Sequence, residues 1–196
     1  MKSFIYIFSI LLLFSCQENK VKNLQINTFQ GISFLKDSLF AKEIDIKKDT
    51  IRVKNYKEAL ENYKNDNSWE NSIWVGRRIA YLGDYKKAID YFTEGHEKFP
   101  VRPEFLRHRG HRYISIRKID KAIKDLKKAS QMIEGRKDII EKDGVPNASN
   151  TPISSLHTNI YYHLGLAYYI NGDLENALKY YLKNIEISYN DDNLVS

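Results

Sequence analysis

Laid against itself at an offset of 34 residues, the middle of the chain repeats: Gly76 falls on Gly110, Ala88 on Ala122, Phe92 on Leu126 and Gly95 on Ala129. A third copy follows, in which Gly165, Tyr168, Gly172, Leu174, Ala177 and Tyr181 fall on Gly110, Tyr113, Arg117, Ile119, Ala122 and Leu126. Its offset of 55 is the same period plus an insert of 21 residues. A period of this length restricts the fold to stacked units, because one unit cannot bury its apolar face alone and each must cover the next.

Each unit reads as two amphipathic helices. The stretch IWVGRRIAYLGDYKKAIDYF, residues 73–92, breaks at Gly83 into two such segments. A small residue sits in the first helix of each unit (Gly76, Gly110, Gly165) and another in the second (Ala88, Ala122, Ala177), with large residues between. Small residues let two antiparallel helices approach closely while the large ones fill the space beside them. The pattern predicts an all-α solenoid of three helix pairs. The period, the helix pair and the closing Pro100 resemble the tetratricopeptide repeat (TPR), and the resemblance covers about residues 69–190. WVGRRIAYLGDYKKAI, RHRGHRYISIRKIDKAIKDL, DGVPN and YHLGLAYY are further similar to segments of an exported bacterial TPR family without an assigned biochemical activity. Members of that family tend to continue past the point where this chain ends.

The boundaries that follow are 69–102, 103–136 and 158–191 for the three repeats, with an inserted loop at 137–157 and a tail at 192–196. Upstream, NYKEALENYKNDNS places Tyr56, Ala59 and Tyr63 on one stripe, and residues 51–68 are expected to form a capping half-repeat. Residues 16–50 show no clean helical period and are expected to hold a tether and a short packed segment near GISFLKDSLF. A solenoid normally closes with a helix whose outer side is polar. Here Tyr181, Leu182 and Ile185 are left without an obvious next neighbour, which raises a docking or self-assembly face as an alternative use of the chain.

Residues 1–15 carry one cation, Lys2, and an apolar run from Phe4 to Phe14. Eleven positions are too few for a bilayer, where about 20 are needed, and suit the core of a secretory signal. Leu13, Phe14, Ser15 and Cys16 resemble the lipobox of bacterial lipoproteins, which implies lipidation of Cys16, with palmitate among the acyl chains, and attachment to an envelope membrane. Cys16 is the only cysteine, so no internal disulfide is available and acylation gives the thiol a use. Gln17, in place of the aspartate that in some bacteria marks retention at the inner membrane, points to the outer membrane. Removing residues 1–15 lowers the formal charge from +6 to +5. Export argues against nucleic acid as the counterpart of that charge and leaves anionic headgroups, acidic glycans or acidic protein surfaces.

The TPR resemblance implies that the first helix of each unit lines a concave groove where extended peptides or partner helices lie. By phase, one column of the groove is Ile73, Arg107 and Tyr162, the next Arg77, His111 and Leu166, and Tyr81, Ser115 and Ile170 continue it. Arg78 and Arg112 fall at its edge. The second unit concentrates the charge, with Arg107, His108, His111 and Arg112 within two turns. Arginine forks bind carboxylates bidentately and tyrosines such as Tyr81, Tyr162 and Tyr169 supply flat apolar contact with a polar tip. The pattern predicts a basic, aromatic groove for a protein partner presenting an acidic peptide or helix. The alternative is that these charges are solvated or paired with neighbouring acids.

Arg109 differs, since its column is otherwise Val75 and Leu164 and faces the core. It is expected to be structural, paired with Asp90, Asp125, Glu141 or Asp143. The insert could fold over the groove and contribute Asp143, Asn147 or His157, or could be a surface excursion that ties Arg109 down. His108, His111, His163 and His157 invite a metal hypothesis, but no zinc motif accompanies them. No cofactor is implied, and no nucleophile, zinc-protease or phosphate-loop motif is present, so catalysis is not expected.

Overall fold

The computed structural model describes residues 28–41, 44–45, 48–141 and 154–190. Among them are a hairpin, β1 (Phe29–Ile32) and β2 (Ser38–Phe40), and seven helices. The helices are α1 (Thr50–Asn65), α2 (Trp69–Tyr81), α3 (Tyr85–Lys98), α4 (Pro103–Ser115), α5 (Ile119–Met132), α6 (Leu156–Ile170) and α7 (Leu174–Asn190). The pairs α2–α3, α4–α5 and α6–α7 stack in order, each touching the next, with α1 against α2. The first helices α2, α4 and α6 also touch one another side by side. The fold is an all-α TPR solenoid carrying one small hairpin.

Local chemistry starts and stops the helices. Ser68 caps α2 by accepting from the amide of Asn71, and Asp84 caps α3 by accepting from that of Lys87. Pro103 opens α4, where a missing N–H costs nothing. Ser155 and Thr158 form a reciprocal capping box on α6. Within each pair the chain turns through a left-handed residue at one repeated position: Gly83 at φ 92°, Arg117 at φ 64° and Gly172 at φ 81°.

The pairs close on the small residues. A side chain at Gly76 would collide with the Phe92 ring, one at Gly110 would place its Cβ 2.6 Å from Leu126 Cγ, and one at Gly165 would lie 2.9 Å from the Tyr181 ring. The same notch therefore accepts Phe, Leu and Tyr in turn. The core divides at α4, with Phe105 packed among α1–α3 and Leu106 among α5–α7.

Arg109 lies between α4 and α5, where its Nε and Nη2 donate to Asp125 at 2.6 and 2.9 Å and its Nη1 donates to Thr93 Oγ1 at 3.1 Å. Burial opposes this charge, but the hydrogen bonds and charge of Asp125 hold its pKa above the usual arginine value. The insert is thus not what ties Arg109 down. The legs of the insert are pinned together instead: Ile140 and Ser155 form an antiparallel bridge, and Asp138 accepts from Ser155 Oγ at 2.5 Å and from the amide of His157 at 3.0 Å. The third repeat's first helix begins at Leu156, slightly ahead of the periodicity-based boundary at 158.

Two features differ from expectation. The packed segment near GISFLKDSLF is a β-hairpin, whose short alternation a search for helical period does not register. Tyr181 turns inward onto Gly165 and is not part of an open face. The residues left open on α7 are Leu174, Leu178, Leu182 and Ile185, spaced to share one side of the helix.

Gly110→Ala tests the notch. The added methyl gains about 1 kcal/mol of helix propensity but overpacks against a fully buried Leu126, for a gross cost of about 1–3 kcal/mol. Urea denaturation is expected to show net destabilisation, partly relieved by Leu126→Val; a rise in stability would mean that the notch has room.

Candidate functional site

Because α2, α4 and α6 lie side by side, their facing residues enclose a cavity of about 340 Å³. Arg77 and Tyr81 come from α2; Arg107, His108, His111 and Arg112 from α4; and Asn159, Tyr162 and His163 from α6. Glu141 and Ser154, on the two legs of the insert, close one side. Among the described residues, three guanidinium groups and one carboxylate line the cavity.

Arg107 does not stand open in the groove as its phase suggests. It is 6% exposed, and its Nη2 donates to Glu141 Oε2 at 2.8 Å, an oxygen that also accepts from Asn159 at 3.2 Å. Periodicity cannot reveal this, because the partner belongs to the aperiodic insert. The signal available in the sequence is Glu141 itself, a candidate for Arg109 that the fold delivers to Arg107.

The histidines act as acceptors and packing surfaces. Arg107 Nη1 lies 2.6 Å from His108 Nδ1, and Arg112 Nη2 lies 2.6 Å from His111 Nδ1. A guanidinium can only donate, so both Nδ1 atoms carry no proton. His108 stacks on Phe92 at 5.4 Å, and the rings of His111 and His163 approach to 4.1 Å. His163 Nδ1 instead donates to the carbonyl of Asn159 at 2.6 Å. Burial first, then neighbouring charges, push all three imidazoles below the ordinary histidine value. His163 is brought down to about 3.

Arg112 is the exposed question in this arrangement. Burial pulls its pKa down to about 10, the charge of Arg107 adds to that, and the Tyr85 ring beneath it at 5.3 Å works the other way. Among the described residues no carboxylate pairs with it. Arg77 lies 4.5 Å above the Trp74 ring and donates to the Tyr81 hydroxyl at 2.9 Å, while Arg78 stacks on the same indole at 4.7 Å without lining the cavity. The paired arginines of α2 therefore share one aromatic platform.

Tyr81 and Tyr162 form the rim, 44% and 48% exposed. Tyr169 is exposed but lies outside the cavity lining, as does His157, which sits beside Asp138 at the base of the insert. Asp143, Asn147 and Cys16 lie outside the described residues. No group of three or more metal-ligating side chains is assembled among the described residues. His163 falls on His108 at the 55-residue offset, so phase points to it, whereas the sequence does not single out Asn159. Asn159 lies about one turn before Tyr162 and His163, and all three line the cavity.

Residues 158–191 match the family model described as tetratricopeptide repeat. A solved structure titled "MamA MSR-1 C2" superposes with a TM-score of 0.51 at 14% identity, over 74% of this chain and 72% of its own. A second, "MamA 41-end from Desulfovibrio magneticus RS-1", is 16% identical over 76% of this chain and 94% of its own, with a TM-score of 0.37. No curated protein matches. The match at 158–191 and the likeness of the first structure agree on one fold, stacked helix pairs of the tetratricopeptide-repeat kind.

The depressed histidines make stability depend on pH. Their protons bind in the unfolded chain near pH 6.5 but not in the fold, so stability is complete above about pH 7 and falls as pH drops toward 3. Each histidine contributes up to about 1.4 kcal/mol per pH unit within that window. Urea titrations at a series of pH values are expected to lose about one proton of slope in His163→Gln. An unchanged slope would show that this imidazole is protonated in the fold.

Proposed function

We propose that the chain is a lipid-anchored scaffold of the bacterial envelope, acylated at Cys16 and held at the outer membrane, that binds an acidic segment of a protein partner in this groove. The observation that carries the reading is Arg112, which lines the cavity, is largely withdrawn from water and meets no carboxylate among the described residues. A desolvated guanidinium favours an incoming carboxylate strongly, because the site has already given up hydration of the charge. An Asp or Glu side chain of an extended peptide or helix would enter between Arg77 and Arg112, with Tyr81 and Tyr162 flanking it and Tyr169 further along. The reading assigns no catalysis and no cofactor.

Fluorescence anisotropy with a labelled decapeptide rich in Asp and Glu tests it. The Arg77→Gln, Arg112→Gln double variant is expected to bind at least tenfold more weakly with unchanged helix content by circular dichroism. Arg107 is left intact because its loss would strand Glu141. Equal affinity in the variant would sink the groove as the binding site.

One observation favours a second reading. Leu174, Leu178, Leu182 and Ile185 are each 46–62% exposed along one side of α7, a concentration that single surface apolar residues do not produce. In that reading the stripe packs against α7 of a second copy, which builds an assembly. Sedimentation equilibrium is expected to show self-association that Leu178→Lys with Leu182→Lys abolishes, and a monomer at high concentration before substitution would exclude it.

A further inference from the structure

The hairpin is fixed to the solenoid by specific contacts. Gln30 is buried, accepts from the amide of Lys86 at 2.8 Å and donates to Asp84 at 3.2 Å, at the turn of the first repeat. Gly31 rides on the turn of the second, where an added Cβ would lie 2.7 Å from the carbonyl oxygen of Ile116. The tip is equally constrained, since Ser33 Oγ accepts from the amides of Leu35 and Asp37 at 3.2 and 3.0 Å and Lys36 takes φ 68°. What this rigid mount presents is apolar. Phe34 is 61% exposed and Leu35 86%, and Phe29 and Phe40 form an edge-to-face pair on the outer side of the strands.

Beside the hairpin runs a cleft of about 670 Å³ lined by Lys86, Lys87, Lys118 and Lys121 against two acids, Asp84 and Asp90. Asp84 is already engaged by the cap of α3 and by Gln30. Arg117 adds a cation 5.4 Å from the Phe34 ring. It holds the left-handed turn position that Gly83 and Gly172 occupy in the other repeats, a conformation that disfavours a side chain.

We infer that this edge docks onto an anionic phospholipid surface, with Phe34 and Leu35 entering the interface and the lysine-lined cleft and Arg117 meeting headgroup phosphates. An apolar wedge beside a collar of cations is the chemistry an anionic bilayer selects. A partner strand would use the hairpin's backbone edges and leave the tip uncovered. Distance permits the docking: the 12 residues from Cys16 to Thr28 reach at most about 40 Å. The inference borrows the proposed lipid anchor for proximity alone and is independent of the groove.

The test uses the full chain carrying Phe34→Trp, incorporated into vesicles of phosphatidylglycerol with phosphatidylcholine or of phosphatidylcholine alone, with brominated lipid as quencher. The same chain without the substitution supplies the background from Trp69 and Trp74. Flotation of the vesicles reports anchoring separately. The expected result is a blue shift and at least threefold stronger quenching of the introduced indole in the anionic vesicles, reduced by half or more in Arg117→Gly with Lys118→Gln. The Gly substitution suits the turn, so folding is preserved there. Flotation without quenching overturns the docking while leaving the anchor standing, and equal quenching in both vesicle types overturns recognition of anionic headgroups.

Discussion

Everything in this molecule rests on one contact made three times, a glycine of a first helix receiving a large side chain sixteen positions later: Gly76 with Phe92, Gly110 with Leu126, Gly165 with Tyr181. Only the absence of a Cβ lets the two helices come close enough for that side chain to enter, and only that approach turns α2, α4 and α6 to one side. The cavity is a consequence. Arg77 and His111 directly follow their notch glycines and Tyr162 precedes its own by three positions, and all three line the shared face.

The middle helix carries two incompatible electrostatic demands and separates them by phase. On its inner side Arg109 is neutralised outright by a bidentate carboxylate, a geometry that makes the charge tolerable in a core. On its groove side Arg107 is paired with Glu141, while Arg112 directs a hydrogen bond to the neutral imidazole of His111 and meets no carboxylate among the described residues. A histidine that accepts from an arginine cancels none of its charge. The groove therefore keeps a positive potential while leaving few polar atoms unsatisfied, and burial strengthens that potential by excluding water.

Much of this is legible in the sequence for a physical reason. Repeats fix both which residues pack and which share a face, so the three helix pairs, the groove columns through Arg77 and His111, and the core position of Arg109 follow from counting. What counting misses has no period. Glu141 reaches Arg107 from a connection whose path depends on the Asp138–Ser155 and Ile140–Ser155 contacts at its base. The hairpin escapes because three- and four-residue strands carry too few alternations to register, and its seat depends on Gln30, a residue that sequence alone marks as surface. Tyr181 falls on Leu126 and Phe92 in the repeat, and that alignment, more than its place in α7, marks it as the side chain that fills the Gly165 notch.

The insert then sets how strong the groove is. It contributes the sole described carboxylate lining the cavity, and Glu141 is held there by Asn159 as well as by Arg107, so the acid is positioned from two elements. Pairing Arg107 with Glu141 leaves Arg112 as the α4 guanidinium of the cavity that no carboxylate meets among the described residues. The periodic positions do not repeat the charge, since the Arg107 column is otherwise Ile73 and Tyr162 and the Arg77 column is otherwise His111 and Leu166. By pairing Arg107 with an aperiodic residue, the chain leaves Arg112, over the Tyr85 ring, as the α4 guanidinium open to an incoming carboxylate. Position along the groove thus comes from the one segment that breaks the repeat.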